Sequence, residues 1–74
     1  MQVSVKLFAT LQRYAPDNQT AGEAFEITLP EKSTIQDIIE ALDIRPNEVK
    51  VAFVNGKARA TVYRLKDGDE VGIF

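Results

Sequence analysis

The sequence of 74 residues contains no cysteine and no histidine. The lack of cysteine excludes disulfide bonds, a thiolate nucleophile and any zinc or iron–sulfur site built on cysteine ligands. The lack of histidine removes the most common general base and metal ligand, together with every Ser–His or Cys–His catalytic pair. Because so few catalytic groups remain, the composition favours a binding or carrier module. We expect a protein that is not an enzyme and that holds no cofactor and no metal.

Long apolar runs, a glycine-rich loop and a strong excess of one charge are also absent. No apolar run approaches the roughly 20 residues that cross a membrane, and the N-terminus lacks the layout of a signal peptide. The four glycines form neither a phosphate loop nor a dinucleotide fingerprint. A net charge of −2 is not typical of a protein that binds nucleic acid or a membrane surface. We therefore expect a cytoplasmic protein that binds neither nucleic acid nor membranes.

The charges are distributed unevenly along the chain. Residues 17–44 carry seven acids and one base, whereas residues 45–66 carry six bases and one acid. One interpretation is the ordinary solvated surface of a small domain. The other is an acidic face and a basic face, of which the basic one would steer an acidic partner protein. The pattern leaves both interpretations open.

Alternation of apolar and polar residues predicts strands near both ends of the chain. In the first strand, residues 2–8, the side chains of Val3, Val5 and Leu7 would face the core. Asn55-Gly56 directly follows a run rich in β-branched residues and predicts a tight hairpin turn. The remaining predictions are a helical turn over 9–14, a polar loop from 16 to 22, and strands over 25–29, 49–54, 57–60 and 71–74.

One amphipathic helix is predicted in the middle of the chain. Its apolar stripe has the i, i+3, i+4, i+7 spacing of a helix that packs on a sheet. A capping box at its start is predicted for Ser33 with Gln36, with a shifted and weaker version for Thr34 with Asp37. Pro46 predicts that the helix ends near residue 42 or 43. The stripe consists of Ile35, Ile38, Ile39 and Leu42.

The predicted order of elements is strand, strand, helix, strand, strand, strand. A single helix needs one sheet to cover its apolar face, with the first and last strands in the middle of that sheet. The last strand would run parallel to the first, which the long connection between them permits. This predicts an α+β β-grasp (ubiquitin-like) fold with a mixed sheet of four to five strands. Residues 1–74 would form a single domain, with Val62 and Leu65 filling the core from an irregular segment.

Two phenylalanines are predicted on the sheet face away from the helix, which we call the open face. If Val71 and Ile73 face the helix, Phe74 faces the other way, and Phe8 breaks the alternation of the first strand. A contiguous apolar patch there would indicate a site for a partner protein. The alternatives are scattered single aromatics or a lid formed by residues 9–16. Val54 or Ala52 would extend the patch, since the pattern does not fix which face of their strand points inward.

Four segments resemble the MoaD/ThiS family of ubiquitin-like sulfur carriers, in the order and spacing of that family. The Asn-Gly turn and the Leu-x-Asp-Gly-Asp-Glu-Val ending are the more specific of them. The resemblance covers nearly the whole chain and is closer to the small subunit of molybdopterin synthase than to the thiamine carrier. The segments are VKLFATL at 5–11, STIQDI at 33–38, VAFVNG at 51–56 and LKDGDEV at 65–71.

The resemblance implies a carrier in molybdenum cofactor biosynthesis, with no catalysis of its own. An ATP-dependent activating enzyme would adenylate a C-terminal glycine, and sulfur transfer would make a thiocarboxylate. The large subunit of molybdopterin synthase would then receive the tail and supply the catalytic residues. We predict a partner-binding surface formed by Phe8, Val54, Ala58, Arg59 and Phe74.

The family continues past its last strand to a Gly-Gly tail, whereas this sequence stops at Phe74. One expectation is a shortened form of a carrier. The other is a tailless relative, an interaction or regulatory subunit that binds an unknown protein partner through the open face. Ala58 stands where the family tends to have a larger apolar residue, which slightly favours the second.

Overall fold

The computed structural model describes residues 1–16 and 22–74. The polar loop predicted between Pro16 and Gly22 therefore lies outside the described residues. Within the described part, no helix is long and apolar enough to cross a membrane. The structure contains strands β1 (Gln2–Leu7), β2 (Phe25–Thr28), β3 (Ala52–Val54), β4 (Lys57–Arg59) and β5 (Glu70–Ile73), helix α1 (Ile35–Ala41), and 3-10 helices at Ala9–Tyr14 and Pro46–Glu48.

The five strands form one mixed sheet in the order β2-β1-β5-β3-β4. The first and last strands of the chain are neighbours in the middle and run parallel, with Val5 opposite Val71. The other pairs, β1 with β2, β5 with β3 and β3 with β4, are antiparallel. A mixed sheet with one main helix on one face is the β-grasp, ubiquitin-like fold, which confirms the predicted fold class.

Helix α1 packs its isoleucines on one face of the sheet. Ile35, Ile38 and Ile39 are at most 1% exposed and belong to the same core as the apolar residues of β1 and β5. Because three β-branched residues lower helix propensity, packing on the sheet must stabilise this short helix. Leu42, the last member of the predicted stripe, is half-buried and forms the C-terminal cap.

The helix begins one residue later than the stronger of the two predicted capping boxes. Thr34 is the N-cap, and its side chain accepts a hydrogen bond from the backbone N–H of Asp37. The Asp37 carboxylate in turn accepts from the Thr34 backbone N–H at 2.8 Å. Ser33 is buried instead, and its hydroxyl donates to the Pro30 carbonyl at 2.7 Å. The shifted Thr34–Asp37 box is therefore the correct one, because the Ser33 hydroxyl is hydrogen-bonded within the preceding turn.

The Asn-Gly hairpin forms as predicted between β3 and β4. Asn55 and Gly56 have φ of 52° and 85°, as both central residues of this turn type require. The Asn55 side chain donates to the buried carboxylate of Asp69 at 3.0 Å and accepts from the backbone N–H of Glu70 at 3.0 Å. These bonds fix the hairpin to the start of β5.

The irregular segment before β5 contributes one core residue and not two. Leu65 is 4% exposed and fills the core, as predicted, whereas Val62 is 76% exposed. The backbone on either side of Val62 is instead hydrogen-bonded to the start of α1. The carbonyls of Thr61 and Tyr63 accept hydrogen bonds from the N–H groups of Gln36 and Ile35 at 2.9 and 3.3 Å. The prediction that Val62 is buried is wrong, because its neighbours' carbonyls, and not its side chain, face α1.

Candidate functional site

The open face of the sheet carries three phenylalanines from three neighbouring strands. In β1 the residues Val3, Val5 and Leu7 face the core, so Phe8, which directly follows β1, turns to the open face. Phe74 follows β5 in the same way after the buried Ile73. Phe53 lies between two buried residues of β3. We call Phe8, Phe53 and Phe74 the aromatic cluster.

The rings of the aromatic cluster are in direct contact. Phe8 and Phe74 are stacked, with ring centroids 4.1 Å apart and planes 4° apart. Phe53 meets Phe74 edge to face, at a centroid distance of 5.5 Å and an angle of 77°. The Lys6 ammonium lies 5.2 Å from the centroid of Phe8. Phe74 remains 36% exposed, so the cluster presents apolar surface to solvent.

Gly72 lies beneath this cluster and permits its close packing. A Cβ at this position would lie 3.2 Å from Cε2 of Phe8 and 3.7 Å from Cε1 of Phe74. The backbone register places Lys6 opposite Gly72 on one side and Phe53 opposite Gly72 on the other. The lack of a side chain thus leaves a depression in the middle of the open face.

The depression forms a groove of about 430 Å³. The aromatic cluster, Lys6 and Gly72 line it together with polar residues near the start of β5. Among the described residues, none of the 3-10 helix at Ala9–Tyr14 lines the groove, and Leu11 of that helix is buried in the core. Residues 9–16 therefore pack beside the sheet and do not form a lid over its open face. The polar residues of the lining are Ser4, Asn55 and Glu70.

Three of the five predicted site residues lie on the open face. Phe8 and Phe74 are stacked there, and Ala58 is opposite Phe53 in the register of β3 and β4. The placement of Val54 on this surface is wrong, since Val54 is 2% exposed in the core. Arg59 also lies elsewhere: it is opposite the buried Ala52, and its guanidinium carbon lies 4.8 Å from the ring centroid of Tyr63.

The sequence patterns missed Phe53 and the exposed Val51. Val51 shares two backbone hydrogen bonds with Phe74, of 2.9 and 3.4 Å, and extends the apolar surface beyond the cluster. Apolar side chains on both faces of β3 left the facing of Phe53 open. Lys57 and Arg59 share a face with the buried Val54 and Ala52. They are exposed because β4 is the edge strand, where long side chains reach solvent.

A polar cluster joins the two 3-10 helices, Ala9–Tyr14 and Pro46–Glu48. The Tyr14 hydroxyl and the Arg13 guanidinium both donate hydrogen bonds to the carboxylate of Glu48. The hydrogen bond from Tyr14, followed by that from Arg13, lowers the pKa of Glu48 below its ordinary value. The cluster holds the segment that follows Phe8 against the segment that precedes β3.

Removal of the Tyr14 hydroxyl by Tyr14→Phe is expected to destabilise the protein more at neutral pH than in acid. Because the pKa of Glu48 is lower in the folded than in the unfolded state, its contribution is present above the unfolded pKa and is lost as pH falls through the folded pKa. Urea unfolding of both proteins across this pH range measures the difference.

Tyr63→Phe is the matched control for Tyr14→Phe. The Tyr63 ring also lies beside an arginine, with its centroid 4.8 Å from the guanidinium carbon of Arg59. Its hydroxyl makes no hydrogen bond within the described part of the chain. The control should show no such pH dependence. A Tyr14→Phe effect of equal size at every pH would contradict a role for the Glu48 charge.

The described residues contain no group of three or more carboxylates, histidines or cysteines that could hold a metal ion. The family model described as Mut7-C ubiquitin matches residues 1–74. A search of curated proteins found no significant match.

Three solved structures resemble the chain over nearly its whole length. A protein from Pyrococcus furiosus described as a putative molybdopterin converting factor, subunit 1, is 31% identical, with a TM-score of 0.73, and the match covers 99% of this chain and 94% of that one. Two crystal structures of small archaeal modifier protein 1 from Haloferax volcanii are each 20% identical. Their TM-scores are 0.73 and 0.74, over 100% and 99% of this chain and 93% and 94% of theirs. At that identity the modifier structures support the fold alone.

Proposed function

The chain belongs to the Mut7-C ubiquitin family, and we propose that it is a small ubiquitin-like carrier of the molybdopterin synthase small-subunit type. In this role, residues 1–74 act as one domain without catalysis of their own. The open face docks on the large subunit, and an ATP-dependent activating enzyme loads the carrier with sulfur. Identity of 31% to a molybdopterin converting factor subunit, over 94% of that chain, supports the choice of pathway.

The aromatic cluster is the observation that carries the docking role. Phenylalanine, like the other aromatic residues, is enriched in protein interfaces relative to the rest of the protein surface. Stacking of Phe8 on Phe74, with Phe53 at its edge, holds the rings in place before a partner arrives. A partner therefore loses little of its binding energy to ordering them. Exposure of apolar surface of this kind to water is unfavourable, so its burial by a partner contributes favourable binding free energy.

The division of labour between carrier and partner follows from the residues that are present. With no histidine and no cysteine, the chain lacks the most common general base and a thiolate nucleophile. A sulfur carried on a terminal thiocarboxylate needs no such side chain, since the partner enzymes supply the catalytic groups. The task left to this chain is recognition, which the open face performs.

A non-carrier interaction subunit is the second candidate. The aromatic cluster consists of side chains on the sheet, so docking through it requires no chemistry at the chain terminus. Ala58 leaves the edge of this surface flatter than a larger apolar residue would. Such a subunit would bind a different protein partner through the same face.

The intact mass of the protein isolated from its native cells tests the carrier role. A fraction heavier by one oxygen-to-sulfur exchange is the expected result, and titration calorimetry with the large subunit of molybdopterin synthase should show binding. Lack of both the sulfur-bearing fraction and the binding would overturn the carrier proposal. Copurification of another protein that Phe74→Asp abolishes would then support the interaction subunit.

A further inference from the structure

The groove on the open face has an apolar end and an acidic end. The stacked rings of Phe8 and Phe74 form the apolar end, and Gly72 forms the floor. At the other end, Glu70 lies directly opposite Ser4 in the register of β5 and β1. Glu26 lies opposite Ser4 from the other side, in β2. The two carboxylates are therefore on the same face, on either side of β1. Glu70 lines the groove, and Glu26 lies beside it.

The two carboxylates of the acidic end are exposed, and neither takes part in an ion pair within the described part of the chain. Lys6, the base that lines the groove, lies over the ring of Phe8 at the apolar end. The bases of β4 share the face of the buried Val54 and Ala52, and so point away from the groove. A partner that covers this end without a positive charge would leave the carboxylates desolvated and unpaired, which is costly.

The spacing of the two ends matches that of an extended chain. Gly72 and Glu70 are two residues apart in one strand, which places them about 6.6 Å apart along the strand. In an extended partner segment, side chains two residues apart point to the same side and have the same spacing. Two side chains of one such segment can therefore contact the floor and the acidic end of the groove at the same time.

Resting on the docking role proposed above, we propose that the groove binds an extended partner segment of the pattern apolar-x-basic. The apolar side chain occupies the apolar end of the groove, against the rings of Phe8, Phe53 and Phe74. The basic side chain, two residues along, pairs with Glu70 and lies near Glu26. An apolar-x-acidic segment would bring a third carboxylate to the acidic end.

Three short peptides with blocked ends test this pattern by NMR titration of the labelled protein. They contain Leu-Ser-Arg, Leu-Ser-Glu and Ala-Ser-Arg, each flanked by glycine. The Leu-Ser-Arg peptide is expected to shift the amide signals of Phe53, Glu70 and Gly72. The glutamate peptide should bind about three- to fivefold more weakly, as expected for an exposed ion pair. The alanine peptide should bind about tenfold more weakly, because it buries less apolar surface.

Glu70→Lys gives the sharper test, because it should reverse the preference between the arginine and glutamate peptides. The Glu70 side chain makes no hydrogen bond within the described residues, so the variant should fold. Glu40→Lys, on the exposed face of α1, is the matched control and should leave the preference unchanged. Gly72→Ala should weaken the binding of all three peptides, since the added Cβ would push the Phe8 ring into the groove.

Each outcome decides between the groove chemistry and the docking role. An unchanged preference in Glu70→Lys, or peptide shifts confined to α1, would overturn the proposed pattern. Concentration-dependent shifts of the same signals without peptide would make a second copy of the chain the occupant. If the large subunit binds wild type and Glu70→Lys equally, the pattern fails while the docking role stands. If the peptides behave as expected and the large subunit does not bind, the reverse holds.

Discussion

Ile38→Asp is expected to unfold the protein. Ile38 is 0% exposed at the centre of the contact between α1 and the sheet. Loss of its apolar side chain costs about 2 to 5 kcal/mol, and an unpaired buried carboxylate costs several kcal/mol more. A domain of this length has a total stability of only about 4 to 11 kcal/mol. Far-UV circular dichroism and the dispersion of amide signals will measure the loss of structure.

Two controls separate this effect from the mere introduction of a charge or a change at this position. Val62→Asp places the same charge at a residue that is 76% exposed and should stay folded. Ile38→Val keeps the site apolar and should cost about 1 kcal/mol. A folded Ile38→Asp protein would mean that α1 does not pack on the sheet through this face.

Phe74→Asp is expected to abolish binding of the large subunit while the fold stays close to native. Aspartate loses the stacked contact with Phe8 and the edge contact with Phe53, and it adds a charge to an apolar surface. We expect Phe74 to be one of the few hot-spot residues of the interface, which contribute at least about 2 kcal/mol each, so affinity should fall by at least about thirtyfold. Titration calorimetry measures the affinity.

The fold should tolerate this change because the Phe74 ring is partly exposed and its backbone bonds persist. The Phe74 N–H and carbonyl bond to Val51 and Lys50 whatever the side chain. Loss of an aromatic pair costs about 1 kcal/mol, a small part of the total. Val62→Asp again serves as the control, and Phe8→Ala should weaken binding independently. Wild-type affinity in Phe74→Asp, or a collapsed fold, would rule out the docking role of this residue.

The sequence predicts this fold well because the elements that decide it carry strong local patterns. The alternation in β1 places Val3, Val5 and Leu7 in the core, and the stripe of α1 places Ile35, Ile38 and Ile39 against it. The sequence offers two capping boxes, and the one it favours is the wrong one. Ser33 and Thr34 have the same chemistry, and only the preceding turn, where Ser33 bonds Pro30, distinguishes them. Val62 was misplaced because an irregular segment has no period to indicate which side chains face inward.

The candidate site was predicted in part. The placement of Phe8 and Phe74 on the open face follows directly from the alternation of side chains in their strands and from the pairing of β1 with β5. Phe53 could not be predicted in this way, because its three-residue strand carries apolar side chains on both faces. Its facing is set by tertiary contacts, since Ala52 and Val54 pack in the core beside Ile73 and Val71.

The central position of β5 has a consequence for how the protein is made. In the sheet, β5 separates the pair β2-β1 from the hairpin β3-β4, and among the described residues it is the strand that bonds to both. During synthesis the two halves leave the ribosome before β5 and have no shared strand. The sheet therefore stays in two parts until β5 emerges, and the core that includes Val71 and Ile73 is completed only after residues up to 73 have been made.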